Sequence, residues 1–168
     1  CVSLGVVPGD GPWLAFMDTG YPPEDIRAQC QRLDRGGVGY HFFYLAGIAG
    51  AGQGERSALA SAELFNRLHP RLIGSSMLTI YPDARLYREI QAGNWAEAGE
   101  MEKFQELRAL ISHLDIPVAF AALGASNAYQ FQGELPGDRE ALLSALDRII
   151  RRESEDRLRS YRPNLPHL

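Results

Sequence analysis

Cys1, Cys30 and four histidines carry the most reactive side chains of this 168-residue sequence. Their spacing does not make a metal site. Zinc and iron–sulfur sites gather ligands at short, repeated intervals. His41, His69, His113 and His167 form no such pattern with one another or with the cysteines. Cys30 shares an apolar helical face with Ile26 and Leu33, the setting of a core thiol. His69 stands at a predicted helix end. His41 lies inside a predicted strand and is the histidine best placed to line a site. Ser57, Ser75 and Ser76 lack the context of a nucleophile elbow. Glu24, Asp25 and Glu55 read as acids at helix starts.

Backbone groups are the other chemical resource. In parallel α/β folds, ligands bind at the carboxyl ends of strands. Three such ends occur here: Val7-Pro8-Gly9-Asp10, Ala46-Gly47-Ile48-Ala49-Gly50 and Thr79-Ile80-Tyr81-Pro82. Glycine at these points lets a ligand approach the main chain closely, although each stretch also serves as an ordinary strand-to-helix turn. Gly50-Ala-Gly52-Gln-Gly54 superficially resembles a phosphate loop. It continues Glu55-Arg56-Ser57 where a Walker A has Lys-Ser/Thr, it lacks the dinucleotide spacing, and Glu55 repels phosphate. Ser126-Asn127 is polar within an apolar region and reads either as a turn held by side-chain-to-backbone bonds or as a substrate contact.

The elements that must position these residues follow from the apolar pattern. The chain is 45% hydrophobic and 23% charged, ordinary for one globular domain. It is not the composition of a disordered, collagenous or coiled-coil chain. No apolar run approaches the ~18 residues of a membrane span, and no secretion leader is visible. The net charge is −4, and all but one of the 17 basic residues are scattered Arg, Lys103 being the exception. Nucleic acid binding needs clustered positive charge, so it is not expected. Two cysteines make no disulfide framework, which fits a reducing cytoplasm.

Val2–Val7 reads as a buried strand and Trp13–Met17 as a helical turn. A helix opens at Pro22-Pro23 and closes at Gly36-Gly37. Val38–Leu45 is an aromatic-rich strand, apolar on both sides, as in the centre of a parallel sheet. A helix over about Ser57–Leu68 and a strand over Leu72–Ile80 come next. Arg85–Gln91 and Gly99–Leu114 are predicted helices. Ile116–Leu123 is a fourth strand, Gly124–Gly133 is irregular, and a last helix begins at Pro136-Gly137-Asp138. Arg151–Arg159 reads as a solvated helix end and 161–168 as a loose tail. The rhythm of strand and helix predicts a parallel sheet with right-handed crossovers. An apolar strand edge at residue 2 is an exposed edge, which points to further strands upstream.

In order along the chain, several segments resemble the radical S-adenosylmethionine enzymes. Leu4-Gly-Val-Val-Pro-Gly-Asp10 resembles their Gly-x-Glu-Ser-Gly turn, and Phe16–Asp25 the stretch that follows it. Gly37–Gly50 resembles the next strand. Leu78-Thr-Ile-Tyr-Pro-Asp-Ala-Arg-Leu-Tyr87 resembles the turn that leaves the last barrel strand. Ala125-Ser-Asn-Ala-Tyr, with Gly133-Glu-Leu-Pro-Gly-Asp-Arg139, resembles the tail of some members.

The resemblance implies an α/β fold. Residues 1–83 would form the C-terminal half of a parallel partial (β/α) barrel, and 84–160 a mostly helical extension packed on it. It also implies a small-molecule cofactor, S-adenosyl-L-methionine, cleaved by a [4Fe-4S] cluster to a 5′-deoxyadenosyl radical that attacks a substrate. The Cys-x3-Cys-x2-Cys cluster loop is absent from this chain, so activity of these residues alone is not expected. What carries over is a set of outer cofactor contacts: Val7, Pro8 and Gly9 at one strand end, Tyr44, Gly47 and Ile48 at the next, and Tyr81 and Pro82 after the third. Val7 and Pro8 stand where the family has Glu and Ser. Two other readings stay open at this point: a different nucleotide-binding α/β enzyme using Gly47–Gly54, and a non-catalytic module that pairs through its open edge.

Overall fold

The computed structural model describes residues 1–6 and 22–162. The Trp13–Met17 turn and the strand end Val7, Pro8 and Gly9 lie outside the described residues.

Strand β1 (Val2–Val6) leads to helix α1 (Pro23–Arg35). Pro23 in the first turn, Glu24 and Asp25 behind it, and Arg32 and Arg35 in the last turn all suit the helix dipole. Strand β2 (Tyr40–Ala46), helix α2 (Gly54–Phe65) and strand β3 (Leu72–Met77) follow. Next come helices α3 (Arg85–Gln91) and α4 (Glu100–His113), then strands β4 (Val118–Ala122) and β5 (Phe131–Leu135). Helices α5 (Arg139–Arg152) and α6 (Glu155–Tyr161) complete the order.

The described strands make one five-stranded sheet in the order β1-β2-β3-β4-β5. β1 to β4 are parallel, and β5 is antiparallel to β4. The α/β class and the largely parallel sheet agree with the sequence pattern. Spatial order follows chain order, so each crossover of common hand lays its helix on the same face. The burial pattern reflects this. Tyr40, Phe42 and Tyr44 of β2, Ile73 and Met77 of β3, and Val118, Phe120 and Ala122 of β4 are buried. They share one core with Cys30 of α1, Phe65 of α2, Phe104 and Leu107 of α4, Leu146 of α5 and Leu158 of α6. Phe42 stacks on Phe65 with ring centroids 4.7 Å apart.

The alternate residues point the other way. Register aligns Gly5, Phe43, Gly74, Ala121 and Gln132 in one row, and Ser3, His41, Leu72, Ala119 and Glu134 in the next. This face is open, and Phe43 is 49% exposed. β2 therefore alternates between buried and open, where its sequence suggested cover on both sides.

Three other differences have local causes. α2 begins a turn earlier than its apolar spacing suggests, because Glu102 of α4 accepts the Gly54 N–H at 3.2 Å. β5 occupies the end of the stretch expected to be irregular. Residues 151–159 are not one solvated helix end. Ser154 breaks the chain there, and its hydroxyl accepts the Arg157 N–H to start α6. Leu158 of α6 is buried, and so is Arg162 just beyond it, which places Arg162 within the fold rather than in a loose tail.

Candidate functional site

β2 and β3 run in parallel with Ala46 opposite Met77, so their carboxyl ends form a common rim. Ile48 from the first exit and Leu78 from the second meet Trp95 in a small apolar cluster, joined by Leu45, Ile80, Leu86 and Ile90. The structure thus brings Tyr44, Gly47 and Ile48 close to the β3 exit. Tyr81 and Pro82 lie further out on an exposed turn, closed by the Ala84 N–H to the Tyr81 carbonyl at 3.0 Å.

Helix α4 grips both exits from the helix side of the sheet. The Tyr44 hydroxyl donates to Glu106 Oε1 at 2.5 Å, and the Gly47 N–H donates to Glu106 Oε2 at 2.8 Å. Glu106 is fully buried, and that burial pushes its carboxyl up to about 7. Burial, with the Glu106 charge beside it, drives the Tyr44 phenol well above its ordinary range. Lys103 is also fully buried. Its ammonium donates to the Leu78 carbonyl at 3.2 Å, to Glu97 at 3.0 Å and to Glu100 at 3.0 Å. Arg162 donates to Glu100 at 2.7 Å and to Thr79 Oγ1 at 2.8 Å. Glu155 of α6 caps α4 by accepting the N–H groups of Glu100 and Met101, each at 2.9 Å.

Nothing in the sequence reading marked Lys103, Glu106, Glu100 or Arg162. One signal was available. Lys103 and Glu106 precede Leu107 and Leu110 by helical spacings of four, so they fall on the apolar face of α4. A lysine and a glutamate there must find partners or stay out of the core.

The loop from Gly47 to Gly54 bends through Gly47, Gly50 and Gly52, with φ of 89°, 88° and 76°. A Cβ on Gly47 would lie 2.8 Å from Lys103 Cε, and one on Gly50 would lie 2.8 Å from Trp95 Nε1. These two glycines make room for the chain's own side chains. Most of the loop's N–H groups are committed as well. Gly47 donates to Glu106, Gly50 to the Gly47 carbonyl, Ala51 to Ala96, Gln53 to Gly50 and Gly54 to Glu102. A phosphate would meet carboxylates at both ends of the loop where it needs donors, so the nucleotide-loop reading gains no support here.

The remaining candidates sit apart. Cys30 is in the core, and burial with the Asp34 charge pushes its thiol up to about 11. His41 lies on the open face with Nε2 3.2 Å from Cys1 Sγ. His69 pairs with Asp34 at 3.0 Å at the opposite end of β2. Asn127 is buried and donates to the Ser75 carbonyl at 2.9 Å, tying the β4–β5 connection to β3. Among the described residues, no group of three His, Cys, Asp or Glu side chains is placed to hold a metal ion. No described helix is long and apolar enough to cross a membrane.

The fold and rim therefore define an α/β chain with a largely parallel sheet and one open face. Comparison with family models, with curated proteins and with solved structures found no match for it.

Proposed function

We propose that this chain is the C-terminal half of a radical S-adenosylmethionine barrel with its helical extension, and that the open face of the sheet is the inner wall. The observation that carries this reading is the parallel order β1-β2-β3-β4, with α1, α2 and α4 packed on one side and small residues around Phe43 on the other. In a (β/α) barrel the helices lie outside and the opposite face of the strands forms the interior. The edges add support. Asp138 Oδ2 accepts the Glu134 N–H of β5 at 2.8 Å, blunting that edge. Ser3 and Gly5 leave the β1 edge exposed, ready to pair with a further strand.

The residues present do not fit an iron–sulfur cluster. Cys30 is committed to the core, and Cys1 has no cysteine neighbour among the described residues. No step through a cluster belongs to this chain. The fit to S-adenosylmethionine is partial. The Ile48–Leu78–Trp95 cluster is buried and backs the rim from beneath, while Tyr81, 52% exposed, offers aromatic surface to a nucleoside there. Tyr44 and Gly47 act at one remove. Their hydroxyl and N–H serve Glu106, so they set the path of the loop and leave ligand contact to exposed Tyr81 and Pro82. Bound beside a cluster held elsewhere in the natural protein, S-adenosylmethionine would supply the radical chemistry. The free cysteines suit a reducing cytoplasm.

The test is to sequence upstream of the codon for Cys1 and to express the resulting frame anaerobically with iron and sulfide. An in-frame Cys-x3-Cys-x2-Cys roughly a hundred residues earlier, the length of three βα units, with 5′-deoxyadenosine formed on reduction, supports the proposal. A start codon directly before Cys1 overturns it. The exposed β1 edge would then favour a non-catalytic module that pairs through that strand.

A further inference from the structure

Strand β5 pairs with β4 on one side only, so its other edge is a row of outward backbone groups. Asp138 closes that row at Glu134. Its Oδ2 accepts the Glu134 N–H at 2.8 Å, and its own N–H donates to the Glu134 carbonyl at 2.8 Å. Outward groups recur at every second residue of an antiparallel strand. Gln132 therefore also turns its N–H and carbonyl outward, and no side chain of the described residues takes them. Beside this stretch lies a groove of about 340 Å³ between the start of β5 and the flank of α5. Its floor is apolar, with Phe131, Ala145 and Ile149 half-buried. Arg148 and Arg152 stand along its wall, both exposed, and neither makes an ion pair among the described residues. The one carboxylate in the groove, Glu153, already accepts the Tyr129 hydroxyl at 2.6 Å and pairs with Arg157 at 3.4 Å. Asp147, the nearest other acid of α5, is held by Arg108 at 2.6 Å. The groove thus carries surplus positive charge over an apolar floor, in a chain whose net charge is −4.

We propose that β5 takes an extended acidic peptide as the next strand of the sheet. The peptide backbone pairs with Gln132, an apolar side chain fills the groove over Ile149, and two carboxylates meet Arg148 and Arg152. Strand addition draws its affinity from main-chain hydrogen bonds and its specificity from pockets for alternate side chains. The spacing fits. Residues four apart on a helix hold their Cβ atoms about 5–6 Å apart, and same-side residues of an extended segment repeat at about 7 Å. The two acids therefore stand two positions apart, with the apolar residue two positions from one of them. The intervening side chains lie toward the open face beside Glu134, so they are neutral. The two arginines also decide which strand can pair, since a basic one is repelled and an acidic one is drawn in. This edge lies away from the β2–β3 rim, so it binds independently of the chemistry proposed there.

The probe is the end-capped peptide Thr-Val-Thr-Asp-Thr-Asp-Thr, titrated into the isotope-labelled chain and followed by backbone amide shifts. We expect saturable shifts confined to residues 130–134 and 145–153. The same peptide with Lys at both Asp positions should bind at least about tenfold more weakly, and the acidic peptide should lose several-fold between about 50 and about 300 mM salt. The double variant Arg148→Glu, Arg152→Glu should reverse the preference toward the lysine peptide, which a purely structural role for these arginines would not do. Gln132→Pro removes the outward N–H, a change that an edge strand tolerates, and should abolish binding. If that variant does not fold, a peptide N-methylated on the edge that meets β5 tests the same pairing on the unaltered chain and should not bind. Absent saturation, shifts elsewhere, or equal affinity for the two peptides overturns the proposal. So does a dimer of this chain that Gln132→Pro dissociates, because the edge would then belong to a second copy.

Discussion

Replacing Lys103 by Met tests whether the buried charge network behind the rim is held together by that one ammonium. Met keeps the length and apolar stem of Lys and removes the charge and three donated hydrogen bonds, to Leu78, Glu97 and Glu100. Glu100 is 5% exposed and would keep only Arg162 as a charged partner. Breaking one side of a buried ion pair costs about 3–5 kcal/mol, a large share of the ~5–15 kcal/mol stability of a typical domain. For a chain of this length that lowers Tm by roughly 6–20 °C. The assay is urea unfolding of the wild type, Lys103→Met, Glu100→Gln and the double variant. Gln retains an acceptor for Arg162, so the double variant should cost less than the sum of the singles by about 1–3 kcal/mol. A single-variant loss below about 1 kcal/mol, or singles that simply add, would refute the account of Lys103 as the compensating charge.

Glu106 should give the chain a pH-dependent stability. Its carboxyl is raised in the folded state, so the folded chain binds the extra proton between about 4.5 and 7 and stability falls as pH rises through that window. The loss should be about 3 kcal/mol, visible as a lower urea midpoint at pH 8 than at pH 5, and Glu106→Gln should remove most of it. Gly47→Ala should cost roughly 2–4 kcal/mol, since it adds a clash with Lys103 to a left-handed backbone. Gly52→Ala has open space and should cost only about 1–2 kcal/mol. The comparison fails if the two Tm shifts are equal. Asn127→Ala should lose roughly 1–3 kcal/mol with its bond to the Ser75 carbonyl, whereas Ser126→Ala should stay within about 0.5 kcal/mol. Equal denaturant midpoints for this pair would contradict the tether.

Most helices were legible because their burial is local. Ile26, Cys30 and Leu33 recur at helical spacing, and one flank of α1 follows from that alone. Leu142 and Leu146 do the same for α5. β5 was hidden by its composition. Only alternate residues of Phe-Gln-Gly-Glu-Leu face inward, and the central one is Gly133, so the two-residue period has a gap at its middle. The open face of β2 was equally unreadable. Phe43 is as apolar as its buried neighbours, and only the one-sided placement of the helices leaves it exposed. The rim itself was found from its glycines, but its supports were not. Whether Glu100 can be buried depends on Arg162, 62 positions later, and whether Tyr44 can be buried depends on Glu106, also 62 positions later. Helical periodicity spans a few residues and carries no trace of such partners.

The bond from Arg162 back to Thr79 spans 83 positions and sets an order of events during synthesis. At the ~5–20 residues per second of translation, Arg162 follows Glu100 off the ribosome by about 3–12 seconds. Through that interval α4 can form while Glu155, which caps its first turn, and Arg162, which neutralises Glu100, have not yet appeared. The three N-terminal strands must therefore wait beside an uncapped helix with an excess buried charge. The nascent chain becomes secure only when its last described helix arrives, so a ribosome stalled near residue 150 would hold a protease-sensitive sheet, and one stalled well past 162 a resistant one.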